Sequence, residues 1–99
     1  MMIVETVKQR LHAIVEGRVQ GVGFRYFVIM FADKNDLRGW VGNRMDGSVE
    51  VTAEGSFIAL EGLLSSLRKG PSGAHVNDVR YTWSDPTDEF HSFSVHNIY

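Results

Sequence analysis

From Gln9 to Glu16 apolar and polar residues alternate, with Leu11, Ala13 and Val15 on one side and Arg10, His12 and Glu16 on the other. A period of two with β-branched residues predicts a strand with one buried face, and Ile14 is the one exception. From Phe24 to Asn35 the period lengthens. Phe24, Phe27, Val28, Phe31 and Ala32 fall on one helical face, Ile29 and Met30 widen it, and Asp33, Lys34, Asn35 and Asp36 end it. Leu37 to Asn43 predicts a second strand, and Met45-Asp46-Gly47 has the chemistry of a hairpin turn. Val49 to Glu54 alternates again and pairs antiparallel with the second strand, Val49, Val51 and Ala53 facing inward and Glu50, Thr52 and Glu54 outward. Gly55 breaks this third strand, and Ser56 caps a second helix with Phe57, Leu60, Leu63, Leu64 and Leu67 on its core face. Lys69-Gly70-Pro71 stops that helix. Val79, Tyr81 and Trp83 mark a fourth strand, and a loop from Ser84 to Glu89 leads to a short strand around Ser92 to Ile98.

The order β-α-β-β-α-β, with a short strand appended, predicts an α+β ferredoxin-like sandwich: an antiparallel sheet with two helices on one face. No linker or repeat interrupts the chain, so residues 1–99 read as a single domain with residues 1–7 as a loose lead-in. Right-handed crossovers place the first two strands parallel, with the third running oppositely between them. Their carboxyl ends then emerge at one edge of the sheet, roughly 10 Å apart. The first ends in a glycine-rich turn and the second at Asn43, so Asn43 is expected to share a pocket with Arg25.

Hydrophobic residues make up 43% of the chain and charged residues 22%, as in ordinary globular proteins, and 99 residues suffice for one core. A net charge of -2 gives no global field favouring nucleic acid or acidic membranes. Cysteine is absent, which removes disulfides, thiolate metal sites and thiol nucleophiles, and is compatible with a reducing cytoplasm. The apolar run from Tyr26 to Ala32 is too short to span a bilayer, and the N-terminus lacks the basic-then-apolar order of a signal peptide.

The stretch Gly17-Arg-Val-Gln-Gly-Val-Gly-Phe-Arg25 joins the first strand to the first helix. Its three glycines permit a tight turn and close approach of a ligand to main-chain N–H groups. The helix start adds unpaired N–H groups and the positive end of a dipole. Arg25 in the first helical turn opposes that dipole, which makes sense if an anion binds beside it, and a guanidinium can hold two phosphate oxygens at once. Arg18 is less constrained, and an ordinary βα turn with two solvated arginines is the alternative. Asn43 is a poor base but can hold a water at a fixed angle; by itself it reads as a common hairpin-loop asparagine.

Taken together, these residues resemble the acylphosphatase family. The stretch Gly17–Arg25 is similar to its first signature, and Gly39-Trp-Val-Gly-Asn-Arg-Met-Asp-Gly-Ser-Val-Glu50 to its second, while Ala53-Glu-Gly55 and Lys69-Gly-Pro71 sit where the family has such residues. The resemblance runs from about Arg10 to the C-terminus. It implies metal-independent hydrolysis of an acyl phosphate to a carboxylate and inorganic phosphate, without a cofactor or phosphoenzyme. It also implies that Arg25 binds the phosphoryl group, that Asn43 orients the attacking water, and that the main chain of Arg18, Val19, Gln20, Gly21, Val22, Gly23 and Phe24 forms the anion cradle. The expected partners are a small-molecule acyl phosphate and, as a product-like ligand, phosphate or sulfate. Neither nucleic acid nor membrane is implied, and the expected form is a cytoplasmic monomer.

Other candidates carry less. His12, His75, His91 and His96 have no metal-ligand spacing and read as solvated or packing residues. Asp85, Asp88 and Glu89 read as a solvated acidic loop, with Ca²⁺ binding as the alternative. An RNA-binding module of the same fold would need exposed aromatics on a central strand, yet the third strand reads Val-Glu-Val-Thr-Ala-Glu. A further alternative is a carbamoyl-phosphate-hydrolysing unit of a larger maturation protein, against which the short chain favours a free-standing enzyme.

Overall fold

The computed structural model describes residues 7–96. The elements are β1 (Lys8–Arg18), α1 (Phe24–Lys34), β2 (Arg38–Asn43), β3 (Val49–Ser56), α2 (Phe57–Lys69), β4 (His75–Ser84) and β5 (Phe93–His96). They form a five-stranded sheet in the order β4-β1-β3-β2-β5. β3 lies antiparallel between β1 and β2, pairing Val15 with Val49 on one side and Asn43 with Val49 on the other. Both helices pack on the face that carries Leu11, Ala13, Val15, Val41, Val49, Val51 and Ala53, all fully buried.

The expected antiparallel sheet is present as β4-β1-β3-β2, but β5 pairs parallel with β2, so the complete sheet is mixed. The reason is topological. β4 ends beside Arg10 and Glu54, at the end of the sheet where β2 begins. A chain crossing at that end must re-enter the sheet running the way β2 runs. Ile98, placed in this strand by the sequence, lies outside the described residues, as do residues 1–6 of the expected lead-in. The Val7 carbonyl accepts a hydrogen bond from the Phe57 N–H at 2.9 Å, tying the entry of β1 to the start of α2.

The helices form where the apolar period says. Phe24, Val28 and Ala32 bury one stripe of α1, and Leu60, Leu63, Leu64 and Leu67 one stripe of α2. Each large side chain so buried contributes roughly 1.5–3 kcal/mol. Ser56 caps α2, accepting from the Ala59 N–H at 3.3 Å, and Gly70 follows its last turn. No helix among the described residues is long and apolar enough to cross a membrane.

The opposite sheet face differs from its alternation pattern. Thr52 and Glu54, expected outward, are 1% and 7% exposed. Glu54 is covered because the segment after β4 folds onto it: the Thr87 and Asp88 N–H groups donate to its carboxylate, both at 2.9 Å, and Arg10 Nη1 lies 3.1 Å away. The expected solvated loop of Asp85, Asp88 and Glu89 is therefore a docked strap with exposed side chains. Among the described residues no group of three or more His, Cys, Asp or Glu side chains can hold a metal ion. On the same face His12 Nε2 lies 2.6 Å from Glu50, and Trp40 stacks on His96 with ring centroids 4.5 Å apart.

Candidate active site

The carboxyl ends of β1 and β2 emerge at the same end of the sheet, with the first turns of α1 above them. A cavity of about 380 Å³ opens there. It is lined by Val19, Gly21, Gly23, Phe24 and Arg25 from the first stretch and by Asn43 from the end of β2. Tyr26, Ile29 and Val95 complete the lining. The structure thus brings Arg25 and Asn43, eighteen positions apart in sequence, to one cavity.

The loop itself is shorter than the sequence suggests. Gly17 and Arg18 belong to β1, paired with Val76 and His75 after a register shift at Glu16/Gly17. Gly17 has φ +134°, and a Cβ there would lie 2.1 Å from the His75 carbonyl oxygen, so this glycine serves the β1–β4 contact. Arg18 is exposed, and neither it nor Gln20 nor Val22 lines the cavity. Gln20 turns its side chain toward the β2–β3 hairpin, its Nε2 donating to the Arg44 carbonyl at 2.7 Å and to the Ser48 carbonyl at 2.9 Å.

What remains, residues 19–23, turns the chain into α1. Gly21 and Gly23 hold left-handed conformations, φ +73° and +80°, and a Cβ on either would meet no atom within 4 Å. Glycine is needed here for backbone conformation, not for space. Left-handed residues in such a turn direct successive N–H groups to one side, an arrangement suited to an anion. Gly23 is the N-cap of α1 and offers no side-chain cap, and the first turn contains no acid. The leading N–H groups of the helix are thus left for solvent or a ligand. Phe24, 2% exposed and edge-on to Phe27 at 5.9 Å, locks the helix start into the core and fixes where Arg25 departs.

No described residue forms a hydrogen bond or ion pair with the Arg25 guanidinium or the Asn43 carboxamide. Asn43 is 7% exposed and closes β2 instead of opening the hairpin loop, so the backbone ladder sets its direction. Arg25 is the one ionised side chain in the described lining. Main-chain N–H groups, a fork of guanidinium donors and an amide able to donate and accept are chemically suited to a tetrahedral anion with a water beside it. Tyr26, Ile29 and Val95 line the site outside the motifs that mark it in the sequence. Ile29 follows Arg25 by four residues and therefore shares its helical face, a spacing that could have signalled it.

The acylphosphatase family model matches residues 11–95. The acylphosphatase of Bacillus licheniformis is 50% identical over 82 residues, covering 83% of this chain and 91% of that protein. A crystal structure of acylphosphatase from Bacillus subtilis superposes with a TM-score of 0.85 at 46% identity, covering 89% of this chain and 98% of that one. A crystal structure of full-length HypF in a phosphate- and nucleotide-bound form gives 0.83 at 26% identity, covering 93% of this chain but only 12% of that one.

Proposed function

The chain belongs to the acylphosphatase family and is a hydrolase of acyl phosphates, and we propose that Arg25 and the main chain of Arg18 to Phe24 hold the phosphoryl group while Asn43 orients the water that attacks it. The observation that carries this reading is the meeting of the Arg25 and Asn43 side chains in one cavity, beside a helix start without a side-chain cap.

The reaction needs little beyond placement. The water oxygen bonds to phosphorus as the bond from phosphorus to the bridging oxygen breaks, and that electron pair leaves with the carboxylate. The proton of the water passes to a phosphoryl oxygen, so no histidine or carboxylate base is required in the cavity. Carboxylate is a good leaving group, and fixed donors aimed at the phosphoryl oxygens, with the nucleophile aligned, supply the acceleration. Arg25, Asn43 and the loop come from one chain, which supports reading residues 1–99 as a single domain that works as a monomer. A cysteine-free protein of this kind suits the cytoplasm.

The test is hydrolysis of benzoyl phosphate by wild type and Asn43→Ala side by side, with EDTA present. Turnover by wild type that EDTA leaves intact, and that falls at least ~10²-fold in the variant, supports the assignment. Intact benzoyl phosphate in the presence of folded wild-type protein overturns it.

A further inference from the structure

We propose that Tyr26, Ile29 and Val95 form an acyl subsite that selects uncharged, apolar acyl groups, an inference that rests on the phosphoryl-binding reading of the same cavity. The polar half of the lining is Arg25, Asn43 and the glycine loop; the other half, apart from the Tyr26 hydroxyl, is hydrocarbon and aromatic. Tyr26 and Val95 are 68% and 45% exposed, which puts two of the large exposed apolar side chains at the mouth of this one cavity. Ile29 stands one helical turn beyond Arg25 and faces the same space. Val95 arrives from β5, opposite Val41, and therefore points to the helix-bearing face of the sheet.

With a phosphoryl group on Arg25 and the loop, the rest of the substrate lies against this wall. No second cation is present in the described lining to meet a carboxylate on the acyl chain, and desolvating such a charge against an apolar wall is costly. An alkyl chain covers apolar surface instead. Full burial of a methylene contributes about 0.8 kcal/mol, roughly fourfold in binding. A one-sided wall gives half of that in free energy, about twofold per methylene.

The experiment compares acetyl, butyryl and hexanoyl phosphates, whose parent acids have nearly the same acidity, so that leaving-group chemistry is held constant. In wild type kcat/KM is expected to rise about tenfold or more from acetyl to hexanoyl, and butylphosphonate is expected to inhibit at least about fivefold more tightly than 3-phosphonopropionate. Tyr26→Ala, and separately Val95→Ser, should flatten the chain-length series to within about threefold while inorganic phosphate inhibits as in wild type. A flat wild-type series, equal inhibition by the two phosphonates, or a slope untouched in both variants overturns the subsite. Failure of folded wild type to hydrolyse any of the three acyl phosphates overturns the underlying reading of the cavity, and the subsite with it.

Discussion

The side-chain amide of Gln20 donates to the main-chain carbonyl of Arg44 at 2.7 Å, and the same nitrogen reaches the Ser48 carbonyl at 2.9 Å. Arg44 directly follows Asn43, so the glycine loop is tied beside the residue that closes β2. Gln20→Leu keeps the bulk and removes the donor. It is expected to cost about 1–3 kcal/mol of stability by urea unfolding, and to lower kcat more than it raises KM, because the amide proposed to orient water drifts while Arg25 stays. A variant with unchanged kcat would show that the tie does not position Asn43.

Arg25→Ala should reduce turnover by at least ~10³-fold and raise the phosphate inhibition constant by ~10-fold or more, since on the proposed reading one group supplies two charge-assisted contacts. Arg25→Lys keeps the charge but loses the planar fork, and should recover only part of the phosphate affinity. Steady-state kinetics with phosphate as competitor separates the two. Asn43→Asp should be worse than Asn43→Ala, because it sets an anion facing an anionic substrate.

Gly17→Ala and Gly21→Ala should fail for different reasons. At Gly17 the new methyl meets the His75 carbonyl oxygen at 2.1 Å, so β1 and β4 must separate and thermal stability falls by several degrees or more. At Gly21 there is space, and the cost of about 1–2 kcal/mol is that of a side chain in a left-handed conformation. Relief of that strain reshapes the loop, so phosphate inhibition weakens for Gly21→Ala more than for Gly17→Ala. Paired melting curves and inhibition constants check both.

Burial pushes the Glu54 carboxyl up, but the Thr87 and Asp88 N–H groups, the Thr87 hydroxyl and Arg10 outweigh it and hold the group below its ordinary 4.5 in the folded chain. A lowered folded value means the stabilisation is complete above about pH 4.5 and is lost as pH falls through the folded value. Wild type should therefore melt above Glu54→Gln at about pH 7, and the two melting temperatures should converge as pH falls below about 4.5 and through the folded value. Asp46, held low by Ser48, is common to both proteins, whereas Glu89, held low by Thr87 and Arg10, also feels the Glu54 charge and is lowered further once that charge is removed, so the difference reports the Glu54–Glu89 pair on the strap.

The sequence carried the parts of the site that depend on local pattern. Alternation at Leu11, Ala13 and Val15 and the helical stripe at Phe24, Val28 and Ala32 oriented β1 and α1, and the order of elements then put Asn43 and Arg25 at one end of the sheet. Long-range contacts were not legible. Gly17 looks like a loop glycine until His75 is seen against it. Thr52 and Glu54 look outward until the strap of Thr87 and Asp88, more than thirty residues away, covers Glu54. Val95 reaches the cavity only because β5 pairs parallel with β2, and that pairing depends on where the chain has crossed.

That crossing separates two tasks along the polypeptide. The residues proposed to act on phosphorus sit in the first half of the chain, on β1, α1 and β2, whereas one side of the acyl wall arrives on a terminal strand hung at the rim of the sheet and held by a tether at the far end. Exchange of this last segment between relatives should retune which acids are released while the phosphoryl machinery stays as it is. Substrate preference could then drift among such proteins without disturbing the chemistry they share.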